Sequence, residues 1–131
     1  MTKTLTHFIN GKVVEGRSGR FHDVFDPSTG EVQAQAPLAA KEEVQDAIAA
    51  AEAAFPEWAA TNPQKRARVM FKFKELVERE MDSLAEMLSR EHGKVLADSA
   101  GDIQRGIEVI EFACGIPHLQ KGEFTEGAGP G

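Results

Sequence analysis

Reactive side chains are sparse in this sequence. Its one cysteine, Cys114, sits in Phe112-Ala113-Cys114-Gly115, within a stretch of helical period and on the apolar stripe. A thiol becomes a nucleophile where a helix N-terminus or a cationic neighbour lowers its pKa. Neither stands beside Cys114, which reads better as a buried small residue. The four histidines, His7, His22, His92 and His118, make no pair at metal-ligand spacing, which argues against a zinc centre. His92 suits the negative end of a helix. Gly127, Gly129 and Gly131 are spaced like a phosphate loop, but no strand clearly precedes them and no helix follows, so the dinucleotide fingerprint is not met. Gly93-Lys94 lacks the upstream glycine of a P-loop. Lys65-Arg66-Ala67-Arg68, with Lys72 and Lys74, reads as a solvated helix face rather than an anion site. Arg105 is the charge that stands out. It falls between the apolar positions Ile103 and Ile107, with Gly106 leaving room beside it. Its guanidinium is the preferred fork for a carboxylate, yet spacing alone favours a surface arginine paired with Asp102 or Glu108.

The elements that must position these groups change period once, near residue 40. Before it the pattern is that of short strands. Phe8-Ile9-Asn10-Gly11-Lys12-Val13-Val14 predicts a hairpin, because Asn-Gly supplies the two positive-φ residues of a type I′ turn between β-formers. Residues 21–25 predict a strand with Phe21 and Phe25 on one face. Asp26-Pro27-Ser28-Thr29-Gly30 predicts a turn, and residues 31–36 a second strand closed by Pro37.

After residue 40 apolar residues recur at three- and four-residue steps. Val44, Ala47, Ile48, Ala51, Phe55 and Trp58 share one face of a first helix, which Pro56 should kink or break. Ala40 is a poor N-cap for it, although Glu42 and Glu43 favour the dipole. Asn62-Pro63 restarts the chain into a second, longest helix carrying Val69, Phe73, Leu76, Val77, Leu84 and Leu88, with Glu75–Arg79 and Glu86–Arg90 as i, i+4 pairs. Gly93 suits the left-handed position that ends it. A third helix begins near Asp98 or Ser99, carries Ile103, Ile107, Ile110 and Cys114, and stops at Pro117 and Gly122.

Composition narrows the class. In 131 residues, 15 basic against 21 acidic side chains give a net charge of −6, so a nucleic-acid backbone is not an expected partner. An apolar share of 41% argues against disorder, and no run of about 18 apolar residues spans a membrane. The first ten residues lack a secretory apolar core, and one cysteine makes no internal disulfide, so the cytoplasm is the default compartment.

Several segments together resemble a known family. Phe8-Ile9-Asn10-Gly11-Lys12 is similar to the opening hairpin of the aldehyde dehydrogenases, and Asp26-Pro27-Ser28-Thr29-Gly30-Glu31-Val32 to their next turn and strand. Ala53-Ala54-Phe55-Pro56-Glu57-Trp58 resembles the end of that family's first helix, and Arg90-Glu91-His92-Gly93-Lys94 the close of its second. The stretch from Gly101 to Pro117, with residues 66–73 and Gly122-Glu123-Phe124, resembles the CoA-acylating methylmalonate-semialdehyde dehydrogenase branch. The resemblance implies oxidation of methylmalonate or malonate semialdehyde with NAD. A cysteine thiolate attacks the aldehyde, hydride leaves to the nicotinamide, a CO2 equivalent is lost, and CoA takes the acyl group. It also implies that the family's nucleophile, oxyanion asparagine, general-base glutamate and main NAD-contacting loops lie beyond residue 131, so no catalytic or cofactor-binding residue is assigned here. Cys114 does not match the nucleophile motif. Arg105 becomes a candidate anchor for the substrate carboxylate, because its helix borders the family's substrate tunnel.

The expected fold is an α+β fragment. Residues 1–39 form an N-terminal segment of antiparallel β elements, residues 40–122 three amphipathic helices at the start of an α/β NAD-binding domain, and residues 123–131 a glycine-rich tail. Its expected partner is the rest of the dehydrogenase chain, in a homo-oligomeric parent that uses NAD and CoA. Neither cofactor should bind the isolated residues well, and alone they should be inactive and prone to self-association. The alternative is a stand-alone helical interaction module without catalysis.

Overall fold

The computed structural model describes residues 2–124 together with Glu126 and Gly129. Most of the glycine-rich tail, including Gly127 and Gly131, lies outside the described residues. Strand β1 (Lys3–Thr4) is followed by a hairpin of β2 (His7–Ile9) and β3 (Lys12–Val14), whose turn places Asn10 and Gly11 at φ 52° and 71°. The antiparallel register pairs His7 with Val14 and Ile9 with Lys12, as the Asn-Gly turn requires. Strands β4 (Phe21–Phe25) and β5 (Val32–Pro37) pair antiparallel across the turn that closes on Gly30, whose N–H donates to the Asp26 carbonyl at 2.8 Å. Strand β1 pairs with the other edge of β5, and it runs parallel. The antiparallel expectation therefore holds for the hairpin and for β4–β5 but not for β1.

Among the described residues five helices follow rather than three. Helix α1 (Lys41–Ala60) passes through Pro56 without a break. Proline removes one hydrogen bond, to the Glu52 carbonyl, and both residues are exposed here, so water can take that acceptor. The capping deficit at Ala40 is made up from within the helix: the Glu43 carboxylate accepts from the Ala40 N–H at 2.7 Å. The same carboxylate accepts from the Arg17 N–H at 2.8 Å, which clasps the loop after β3 to the start of α1. Helix α2 (Pro63–Arg79) starts as expected, with Asn62 accepting from the Gln64 N–H at 2.9 Å.

The long second helix divides at Glu80, and α3 (Met81–His92) continues in a new direction until Gly93, at φ 85°. The division lets both pieces pack on α4 (Leu96–Cys114), to which each is far more closely apposed than to the other. Helix α4 starts earlier than expected. Ser99 does not cap it; its fully buried hydroxyl instead bonds the Ser89 hydroxyl of α3 at 2.8 Å. The last break comes at Gly115, and Pro117 sits in the first turn of a short α5 (Ile116–Leu119), where its missing N–H costs nothing. Cys114 thus ends a helix rather than lying inside one. The expected pairs Glu75–Arg79 and Glu86–Arg90 do not form. Lys72 reaches Glu75, Lys74 reaches Glu78, and Arg79 turns to Glu80.

Among the described residues the buried apolar set is small in volume: Ala34, Ala67, Ala85, Ile107 and Cys114. Large apolar residues stay at the surface, among them Ile48, Phe55, Trp58, Phe71, Met87 and Val109.

Candidate functional site

Helix α4 carries the densest charged arrangement. Lys94, Asp98 and Asp102 follow one another at four-residue steps, so they line one face from the α3–α4 loop into the second turn. The Lys94 ammonium donates to Asp98 at 2.8 Å and also to Asp102. Its side chain is only 17% exposed. Arg105, one turn further on, donates through Nη2 to Asp102 Oδ1 at 2.5 Å. Asp102 is thus shared: one carboxylate oxygen faces the ammonium and the other the guanidinium. Lys94 is held above its ordinary pKa by Asp102 and then Asp98, and Asp102 below its own by Lys94 and then Arg105. Lys94 and Asp102 therefore both stay ionised at neutral pH.

Arg105 remains 67% exposed, and among the described residues Nε and Nη1 have no protein acceptor. Its guanidinium lies across Gly101, where an added Cβ would come within 3.9 Å of Nη1. The pairing with Asp102 is one of the two that spacing alone favoured. A guanidinium bound through one nitrogen keeps the donors needed to accept a second carboxylate. On a different face of α4 from Arg105, α2, α3 and α4 form an apolar groove of about 420 Å³, lined by Phe73, Leu84, Leu88, Ile103 and Ile110. From the sequence Lys94 is a lysine without a P-loop and part of the Arg90–Lys94 family resemblance, with no role of its own. The signal for its true neighbours was the spacing to Asp98 and Asp102.

The other candidates are not brought together into a catalytic set. Cys114 is buried, and the cleft beside it holds Lys74, Glu111 and His118, but Lys74 is committed to Glu78 and Glu111. Among the described residues no group of His, Cys, Asp and Glu could hold a metal ion. The basic cluster on α2 is not wholly a solvated face. Lys65, Arg68 and Lys72 are exposed, Lys74 is largely covered, and Arg66 is half-buried with its Nε lacking a partner, next to Trp58 and Pro117. The loop from β5 into α1 is Leu38-Ala39-Ala40, with no glycine to let a pyrophosphate approach the helix. No described helix is long and apolar enough to cross a membrane.

The pattern that defines the aldehyde dehydrogenase family matches residues 13–130. The chain is 49% identical, over 127 residues, to a malonate-semialdehyde dehydrogenase of Pseudomonas aeruginosa, covering 97% of this chain and 25% of that protein. It is 47% identical over 124 residues to an acylating, mitochondrial methylmalonate-semialdehyde dehydrogenase of Arabidopsis thaliana, covering 95% of this chain and 20% of that one. Among solved structures, one from Sinorhizobium meliloti 1021, assigned as a methylmalonate-semialdehyde dehydrogenase and complexed with NAD, superposes with a TM-score of 0.89 at 60% identity, covering 100% of this chain and 27% of that one. The chain therefore spans about a quarter of the length of the relatives it matches. With its β elements and helices superposing on those relatives, the chain belongs to the aldehyde dehydrogenase family.

Proposed function

We propose that these residues are the N-terminal part of an NAD-dependent, CoA-acylating malonate- or methylmalonate-semialdehyde dehydrogenase. One observation carries the reading: along 97% of its length the chain stays 49% identical to a malonate-semialdehyde dehydrogenase. NAD, when bound, supplies the hydride acceptor, and CoA the acyl acceptor; the rest of the dehydrogenase chain holds both. These residues contribute the helical flank, and Arg105 anchors the substrate carboxylate. Alone they are inactive. They act in the cytoplasm and within a homo-oligomer, where the exposed apolar faces of α1 to α4 find cover.

The test is the enzyme that carries these residues, assayed for NADH formation and acyl-CoA product with malonate and methylmalonate semialdehyde. Turnover that requires CoA and yields acetyl- or propanoyl-CoA is expected. Turnover to a free acid, indifferent to CoA, would overturn the CoA-acylating assignment. Arg105→Ala is expected to raise KM for the carboxylated aldehydes by about tenfold or more, the equivalent of one charge-assisted hydrogen bond of about 1.5–3 kcal/mol. Propanal, which has no carboxylate, should be unaffected. An equal loss with propanal would remove the anchor role.

A further inference from the structure

We propose that Asp102, itself held by Lys94, is a positioning residue that sets the Arg105 guanidinium for a substrate carboxylate. The inference rests on the anchor role proposed for Arg105. An exposed arginine on a helix surface samples many rotamers, and ordering it on binding costs affinity. Here the guanidinium is tied at one end only. Asp102 Oδ1 accepts from Nη2, while Nε and Nη1 have no protein acceptor among the described residues. A fork held this way is ordered before the ligand arrives and still has donors to offer.

Asp102 alone would be a poor device, because a carboxylate beside Arg105 also cancels its charge. Lys94 resolves the conflict. Its ammonium sits on Asp102 Oδ2, so the negative charge is shared between two cations. The loop that carries Lys94 is itself fixed. Gly93, in the left-handed conformation, packs against Pro27 of the β4–β5 turn, and Lys94 also holds Asp98. The chain of contacts therefore runs from the β4–β5 turn through Lys94 and Asp102 to Arg105. No other ionised side chain pairs with Arg105 among the described residues.

The experiment compares Asp102→Ala, Asp102→Asn and Arg105→Ala in the full enzyme, with malonate semialdehyde and propanal as substrates. Asp102→Ala is expected to raise KM for malonate semialdehyde about three- to tenfold, the cost of ordering one long side chain on binding. Its kcat, and both constants for propanal, should stay unchanged. Asp102→Asn, which keeps an oxygen for Nη2 without the charge, should fall between wild type and alanine. If Asp102→Ala lowers KM for malonate semialdehyde, the carboxylate competes with substrate and the proposal is overturned. If Arg105→Ala discriminates between the aldehydes but Asp102→Ala does not, the positioning role alone fails. If Arg105→Ala shows no discrimination, the anchor reading falls and takes this inference with it. Parallel losses for both aldehydes in the Asp102 variants would show a structural role only.

Discussion

Replacing Ile107 of α4 by alanine removes three side-chain carbons from the one large aliphatic residue that is buried among the described residues. Ile107 is 3% exposed, so nearly all of that surface is withdrawn from water in the folded chain. At about 0.8 kcal/mol per buried methylene, the lost transfer free energy is about 2.4 kcal/mol. The cavity left behind adds to this, because the surrounding side chains collapse into it only in part. The expected destabilisation is therefore about 2–5 kcal/mol, and Ile107→Val should cost about 0.5–1.5 kcal/mol. Val109 lies two positions along the same helix and is 69% exposed. Its replacement by alanine removes little buried surface and improves helix propensity, so its effect should stay within about 0.5 kcal/mol of zero. Urea unfolding followed by far-ultraviolet circular dichroism reads both values, with the slope of the transition checked for constancy. A difference of less than about 1 kcal/mol between Ile107→Ala and Val109→Ala would show that α4 is not packed through Ile107, and the assignment of its buried face would fail.

Two further outcomes test the supports of the site. The Glu43 carboxyl is held below its ordinary pKa by the Ala40 and then the Arg17 N–H groups, so its contribution to stability is fully present above the unfolded value of about 4.3 and is lost as pH falls through the depressed native value. Glu43→Gln should accordingly be less stable than wild type at neutral pH, and urea titrations should show the gap closing on acidification; a gap independent of pH would exclude the clasp. Gly93→Ala places a Cβ in the left-handed region and within 3.1 Å of Pro27, so it should cost at least about 1–2 kcal/mol, and an unchanged urea midpoint would contradict the left-handed end of α3.

What could be read from the sequence is what local chemistry decides. Asn10-Gly11, Asn62-Pro63 and Gly93 each impose a backbone conformation on their own account, and all three sit where expected. Arg105 is legible as a candidate from its place between Ile103 and Ile107, and its pairing with Asp102, three residues away on the same helix, is legible as the surface alternative. Features set by distant partners were not legible. The period of 3.6 runs smoothly past Glu80, and only the need of α2 and α3 to lie separately on α4 breaks the helix there. Ser99 has the chemistry of a cap, but Ser89 on a neighbouring helix claims its hydroxyl. Glu43 was read for its effect on the dipole, and its second acceptor role depends on Arg17, 26 residues away in sequence.

The distribution of side-chain size gives the site its wider setting. Helices that pack through Ala67 and Ala85 approach closely, and their larger residues are turned outward. Burying one such residue contributes about 1.5–3 kcal/mol, so three of them amount to about 5–9 kcal/mol, comparable to the whole stability of a small domain. A chain seldom leaves that much unused across adjacent faces. The groove at Phe73, Leu84 and Ile103 is one such face, and α4, which carries Arg105, forms one wall of it. On the proposed reading, the rest of a protein about four times this length covers those faces. The same contact then determines whether the Arg105 fork faces a tunnel or bulk water. The strength of the anchor is therefore a property of the assembled enzyme, since a charge pair gains most where water is excluded.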